Sequence, residues 1–288
     1  MARLKNKNLS VEISADGAEL QSIQKDGIEY LWQGDPEFWG RRAPVLFPIV
    51  GKLKNGRYQL AGKTYKMGGH GFARDSRFEE VSVSADKAVY QLTESADTLS
   101  AYPYAFRLTV SYALVADTIT VSYTVENTDT QPIQFGIGAH PAFNVPLEHG
   151  TFENYTLTLS PKAKRAFIPL NPETGLTKTH EQVFVMDHKK PLTRELFKND
   201  ALVYASSFQM SVSLTNNLDA RGVTVSWEDM PYFGLWSPYP KEAPFVCIEP
   251  WCGLADAEYT SGELTEKFAI NTLEAGKTFA CSYKTAIS

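Results

Sequence analysis

Cysteine is scarce in this chain: three thiols, Cys247, Cys252 and Cys281, among 288 residues. An odd count with no close pairs of the zinc-knuckle kind excludes a disulfide framework, and the three read as reduced, small buried hydrophobes. No apolar run is long enough to cross a bilayer. The N-terminal stretch sets Arg3, Lys5 and Lys7 among polar residues, without the apolar core of a signal peptide, so the expected compartment is the cytoplasm. Basic charge is not in excess either: 28 Lys plus Arg stand against 33 Asp plus Glu, a net −5. With no cationic stripe along the chain, nucleic acid and membrane are not expected partners. Helical periodicity over three turns is missing, and Glu195 to Tyr204 holds a helical turn at most. Linkers rich in Pro, Gly and Ser, fixed-period repeats and low-complexity tracts are absent too, so residues 1–288 read as one domain.

What the chain has is alternation. Hydrophobic residues make up 43%, enough for a sizeable core, and they recur with a period of two. Val11, Ile13 and Ala15 alternate with polar neighbours until Asp16-Gly17; Ala18, Leu20 and Ser22 resume the pattern until Asp26-Gly27. This is strand, tight turn, strand. Leu108 to Leu114 and Ile119 to Val125 repeat it around Asp117 as a long antiparallel hairpin, and Tyr155–Leu159, Met210–Leu214, Val223–Trp227 and Phe279–Tyr283 extend the set. So many short strands imply an all-β sandwich or barrel of unusual size.

A few polar residues sit where strands and turns do not need them. His70 lies among three glycines in Met67 to Arg74, where backbone can approach a ligand closely. His140 ends the strand-like run Ile133 to Ala139 and precedes Pro141, at a strand end where binding groups gather. His149, His180 and His188 lie in polar sequence that reads as solvated loop. Glu249 interrupts the apolar run Phe245 to Trp251, and alternation puts it on the face of Cys247, opposite Ile248. A carboxylate buried there is costly unless it has a partner or a task. Arg41 and Arg42 precede an apolar segment and point to opposite faces, so one of them at most lines a given cavity. A guanidinium fork suits an oxygen-rich ligand. Trp32, Trp39, Phe143, Trp236 and Trp251 lie beside these candidates, as aromatic platforms for the C–H face of a pyranose or as core.

Three segments in order, His70-Gly71-Phe72-Ala73-Arg74, Gly138-Ala139-His140-Pro141-Ala142-Phe143-Asn144 and Cys247-Ile248-Glu249-Pro250-Trp251, together resemble the aldose 1-epimerase (galactose mutarotase) family. The similarity extends over nearly the whole chain and is closest to the mutarotase-like branch associated with bacterial sugar operons. It implies a large antiparallel β-supersandwich and a cofactor-free isomerase, with no metal. Carried over by position, it makes His140 the general acid and Glu249 the general base. It makes His70, Arg41 and Asp200 substrate-binding groups, and Arg74, Phe143 and Trp251, within or beside the same segments, are expected to bind substrate with them. Arg41 is preferred to Arg42 on the spacing Trp39-Gly40-Arg41; the Asn-Arg pattern of galactose-specific members is absent, which leaves galactose specificity open.

The implied reaction interconverts the α and β anomers of a free aldohexose. One base removes the C1 hydroxyl proton, one acid protonates the ring oxygen, and no cofactor is needed. The alternatives are a hexose 6-phosphate substrate, for which Arg41, Arg42, Arg74 and Lys52 are available, and a non-catalytic carbohydrate-binding or regulatory protein. A neutral sugar is expected to be preferred, because Arg41 and Arg42 diverge and Arg74 has Asp75, Glu79 and Glu80 near it in sequence. The only partner implied is the sugar, bound by a monomer or a homodimer.

Overall fold

The computed structural model describes residues 1–178 and 183–288, and strands dominate it. His180, read above as loop, lies outside the described residues. The alternating segments form strands where the pattern places them. Phe106–Val115 and Thr118–Asn127 pair from Phe106↔Asn127 to Val115↔Thr118 across the two-residue turn Ala116-Asp117, and inward residues alternate with half-exposed ones. Asp26 and Gly27, with φ of 52° and 81°, make the two-residue turn between Leu20–Lys25 and Ile28–Glu29. Positive φ at both positions matches the right-handed twist of the flanking strands.

These elements join into one antiparallel sheet of 15 strands among the described residues. Its order begins Val45–Leu46, Ile137–Ala139, Phe245–Cys252, Tyr232–Trp236, Leu202–Ala205, then Tyr155–Ile168. It continues through Met210–Asn216, Gly222–Trp227, Thr278–Ile287 and the long hairpin to Lys87–Thr93 and Glu79–Val83. A separate four-stranded sheet, Ala2–Lys5 to Ile28–Glu29, contributes Leu4, Val11, Ile13, Leu20 and Ile23 to the same core as Tyr90, Tyr112 and Val121 of the large sheet. The fold is the large antiparallel β-supersandwich expected from the sequence, with a core buried between layers.

Three local readings change. Ser95 caps a short α-helix, Ala96–Ala101, that carries too few turns to show periodicity. The turn expected within Glu195 to Tyr204 is a 3-10 turn at Arg194–Phe197, and Leu202–Ala205 is a strand of the large sheet. His188 belongs to strand Val183–Pro191, its Nδ1 2.9 Å from the Leu159 carbonyl oxygen, and is not a loop residue.

Candidate active site

The first five strands of that sheet order carry the site. Glu249 and Trp251 lie within Phe245–Cys252, His140 directly follows Ile137–Ala139, Trp236 ends its strand, and Asp200 precedes Leu202–Ala205. Adjacency in the sheet, not in sequence, brings them to one cavity of about 290 Å³. Trp39, Lys52, His70, Arg74, His140, Asp200, Trp236, Glu249 and Trp251 all line it. Phe245–Cys252 is buried at every position, so Glu249 is only 1% exposed although it faces the cavity.

The cavity floor is the Trp251 indole. Gly138 pairs with Trp251 and Gly234 with Glu249, so two glycines lie on the strands flanking this ring. A Cβ on Gly138 would come within 2.6 Å of the indole, and one on Gly234 would run into its six-membered ring. Trp251 Nε1 donates to the Ala139 carbonyl at 3.2 Å.

His140 is clamped by aromatic rings: it stacks on Trp39 at 4.7 Å and meets Trp236 edge-on at 5.7 Å and His70 at 5.4 Å. Its Nε2 lies 3.2 Å from Glu249 Oε2, while His140 Nδ1 and Glu249 Oε2 make no hydrogen bond and are buried. Burial, and secondarily the charge of Asp200, holds the Glu249 carboxyl well above the usual carboxylate range. Burial, then His70, holds the His140 imidazole well below its usual range. Both directions favour the neutral forms, so burial works against a fixed ion pair between the two.

His70 has φ of 65° and is followed by Gly71 at 72°, a left-handed pair that turns the chain against Phe47. Its backbone N–H donates to Gly51 O at 2.7 Å, and the Gly51 N–H donates to His70 Nδ1 at 3.2 Å. Nδ1 is therefore the acceptor, and the ring proton sits on Nε2. Burial, then Arg74, Lys52 and Arg41, pushes the His70 pKa down to about 3, which keeps the ring a neutral donor.

Arg74 donates through Nη2 to Gly69 O at 2.6 Å and is 3.8 Å from Asp75; its contacts include neither Glu79 nor Glu80. Arg41 does not line the cavity. It stands beside it, held by Asp75 at 2.7 Å, and acts on His70 and His140 through its charge. Arg42 turns away to donate to Gln21 O, so the two arginines diverge as expected. Phe143 is 0% exposed within the core and Trp32 packs with Phe38 and Phe245, so neither is a platform for ligand. Phe143 pairs with Val246, on the strand face opposite that of Glu249, which sequence proximity to His140 conceals, and Trp32 is buried in a cluster with Phe245 and Cys247 against which Trp39 and Trp236 pack. Gly51, Thr177, Gly175, Leu254 and Ala255 also line the cavity, and none carries a sequence signal strong enough to select it.

His140, Cys247 and Glu249 place potential ligand atoms within 4.8 Å of one another, a donor set that zinc accepts. The charges of Arg74 and Arg41 act on His140 and that of Asp200 on Glu249, and burial together with Glu249 holds the Cys247 thiol well above its usual range. A buried thiol that resists ionisation is a poor third ligand beside His140 and Glu249.

A buried carboxyl and imidazole in contact, a neutral N–H donor opposite them and aromatic walls, all in an antiparallel supersandwich, define a sugar isomerase of the mutarotase type. The aldose 1-epimerase family model matches residues 1–267, and the chain belongs to that family. It is similar to the chromosomal LacX protein of Lactococcus lactis subsp. lactis, 36% identical over 275 residues that cover 92% of this chain and 91% of the relative. A galactose mutarotase related enzyme from Lactobacillus acidophilus superimposes with a TM-score of 0.97 at 37% identity, covering 99% of this chain and 96% of that one. A galactose mutarotase-like protein from Lactobacillus casei gives 0.92 at 33% identity, with both chains fully covered. The chain is thus an aldose 1-epimerase-type isomerase of the mutarotase-like branch.

Proposed function

We propose that this isomerase interconverts the anomers of a free aldohexose such as glucose or galactose, with Glu249 and His140 as the acid/base pair. The contact between Glu249 Oε2 and His140 Nε2 carries the reading. The C1 hydroxyl and the ring oxygen of a pyranose share one carbon, so the two groups that serve them must be close neighbours, as these are. In the productive form Glu249 is ionised and His140 is protonated. The Glu249 carboxylate takes the C1 hydroxyl proton, the C1–O5 bond breaks with its electron pair going to O5, and His140 protonates O5. Rotation about C1–C2 turns the other aldehyde face inward, and the same steps in reverse close the ring. The His70 Nε2–H donates to a sugar hydroxyl or the ring oxygen, Asp200 accepts from one, and Trp39, Trp236 and Trp251 face the C–H surfaces. Arg74 adds a donor at the wall, and Arg41 orients the site through its charge and Asp75.

One observation favours a sugar 6-phosphate instead: Lys52 and Arg74 both line the cavity. A dianion leaving water needs several converging charge-assisted donors. Arg74 is already engaged with Gly69 O, and Arg41 with Asp75, which supports the neutral sugar. We take residues 1–288 to act as one cytoplasmic domain, monomeric or homodimeric, with no nucleic-acid or membrane partner; no helix among the described residues is long and apolar enough to span a bilayer. Polarimetry of a freshly dissolved single anomer is the test. Accelerated mutarotation of glucose or galactose is expected, at higher kcat/KM than for glucose 6-phosphate. No acceleration of any aldose overturns the assignment, and preference for the phosphate moves it to the second substrate.

A further inference from the structure

The wall opposite the acid/base pair is assembled from three separate segments, and a buried ion pair outside the cavity lining ties them together. Asp256 and Lys267 have side chains only 4% and 3% exposed, with Lys267 Nζ 3.1 Å from Asp256 Oδ1. Lys267 Nζ also donates to Leu254 O at 2.7 Å. Asp256 Oδ2 accepts from the Lys54 N–H at 2.8 Å, and the Asp256 N–H donates to Lys52 O at 2.8 Å. The Asp256 carbonyl accepts from the Thr177 N–H at 2.9 Å. One aspartate thereby fixes residues 52–54, residue 177 and residues 254–256, the segments that present Lys52, Thr177, Leu254 and Ala255 to the cavity.

The same knot reaches His70. Gly51 has φ of +71° and packs so closely that a Cβ there would lie 2.6 Å from the Ala255 Cβ. Its N–H and C=O make the two bonds that set the backbone and the Nδ1 of His70. A shift of residues 254–256 moves Gly51, and Gly51 selects which His70 nitrogen carries the proton.

We propose that Asp256 and Lys267 are positioning residues of the isomerase: they hold Gly51 against Ala255 so that His70 keeps its Nε2–H aimed at the sugar. Lys267 is not among the residues lining the cavity and acts only through Asp256 and Leu254. A neutral side chain of similar reach, such as methionine, would fill the space but leave the Leu254 carbonyl buried without a donor, and the segment would rearrange. The inference rests on His70 being a sugar-binding group, so its test reads the His70 tautomer without turnover, separately from activity.

The experiment uses the full-length protein with Asp256→Asn combined with Lys267→Met, which removes both charges at similar volume and keeps an acceptor for the Lys54 N–H. Long-range ¹H–¹⁵N NMR of the imidazoles reads the tautomer, and anomer-exchange kinetics reads KM and kcat. The wild type is expected to show His70 as the Nε2–H tautomer. The double variant is expected to lose that single tautomer and raise KM by about three- to tenfold, the worth of one hydrogen bond, while kcat falls less. Lys267→Arg, which keeps the charge and the donor, is expected to restore most of the affinity. A folded double variant with the wild-type tautomer and KM overturns the proposal, as does an Nδ1–H tautomer of His70 in the wild type. If the double variant does not fold, Asp256→Asn alone decides on the same two readouts. Loss of all turnover in the wild type with the Nε2–H tautomer intact would instead count against the mutarotase assignment.

Discussion

Replacing Glu249 by glutamine separates its chemical role from its structural one. The side chain is 1% exposed, in a strand buried at every position, so an isosteric change opens no cavity. Burial favours the protonated carboxyl, and a primary amide resembles a carboxylic acid more closely than it does a carboxylate. Its NH₂ group can donate to the uncharged His140 Nε2 that lies 3.2 Å from Glu249 Oε2. The stability cost at neutral pH is therefore expected to stay within about 1 kcal/mol, the net worth of one exchanged hydrogen bond. The sign of its pH dependence follows from the raised Glu249 pKa. Whatever stability the protonated carboxyl confers is fully present below the ordinary glutamate value and is lost as pH rises through the folded-state value, so Glu249→Gln gains on the wild type as pH rises. Catalysis should respond far more. An amide cannot take the C1 hydroxyl proton, and losing a positioned proton-transfer group slows reaction by about 10²- to 10⁴-fold, or about 3–5 kcal/mol of barrier. The assay is polarimetric decay of fresh α-glucose with the spontaneous rate subtracted, run beside a thermal melt. A folded variant with the wild-type rate would refute the assignment of Glu249 as base, and a rate loss that merely tracks unfolding would refute the separation argued here.

His140→Asn should slow exchange by a similar factor of roughly 10²–10⁴ and reduce the wild-type bell-shaped pH–rate profile to a single limb, read by the same polarimetry across pH. His70 is held neutral down to about pH 3, whereas the unfolded chain binds that proton near pH 6.5. Stability should therefore fall as pH drops below 6.5, by about 2 kcal/mol at pH 5 from this group alone, and His70→Gln should flatten the fall in denaturant titrations. Phe143→Ala should cost about 3–5 kcal/mol of stability while leaving KM unchanged in the folded fraction, as expected of a core residue.

The strands were legible because half-buried antiparallel sheets impose period-two alternation, and Phe106 to Asn127 shows it almost without error. Glu249 was legible for the opposite reason: a carboxylate where every neighbour is apolar stands out against its strand. Spacing cannot say which strands become neighbours in a sheet of 15, and that adjacency, not sequence proximity, decides that Trp236 faces His140 while Phe143, three residues from it, does not. Arg41 precedes strand Val45–Leu46 and stands beside the cavity, not in its lining, because Asp75, 34 positions away, holds its guanidinium, a contact that spacing does not reveal. Asp256 and Lys267 lie outside any periodic run, in mixed sequence that resembles a surface loop, and only their burial distinguishes them.

The indole floor limits how the protein can acquire a new sugar. Trp251 fits because Gly138 and Gly234 on the flanking strands lack side chains. A smaller residue in place of Trp251 leaves a void above two bare backbones, and a side chain on either glycine strikes the ring. Each change is harmful unless the others accompany it, so the floor cannot drift one mutation at a time. Adaptation to a different aldose must instead begin at the wall, at Lys52 and Thr177, whose side chains vary independently of the indole, and directed evolution of specificity should recover its first hits there.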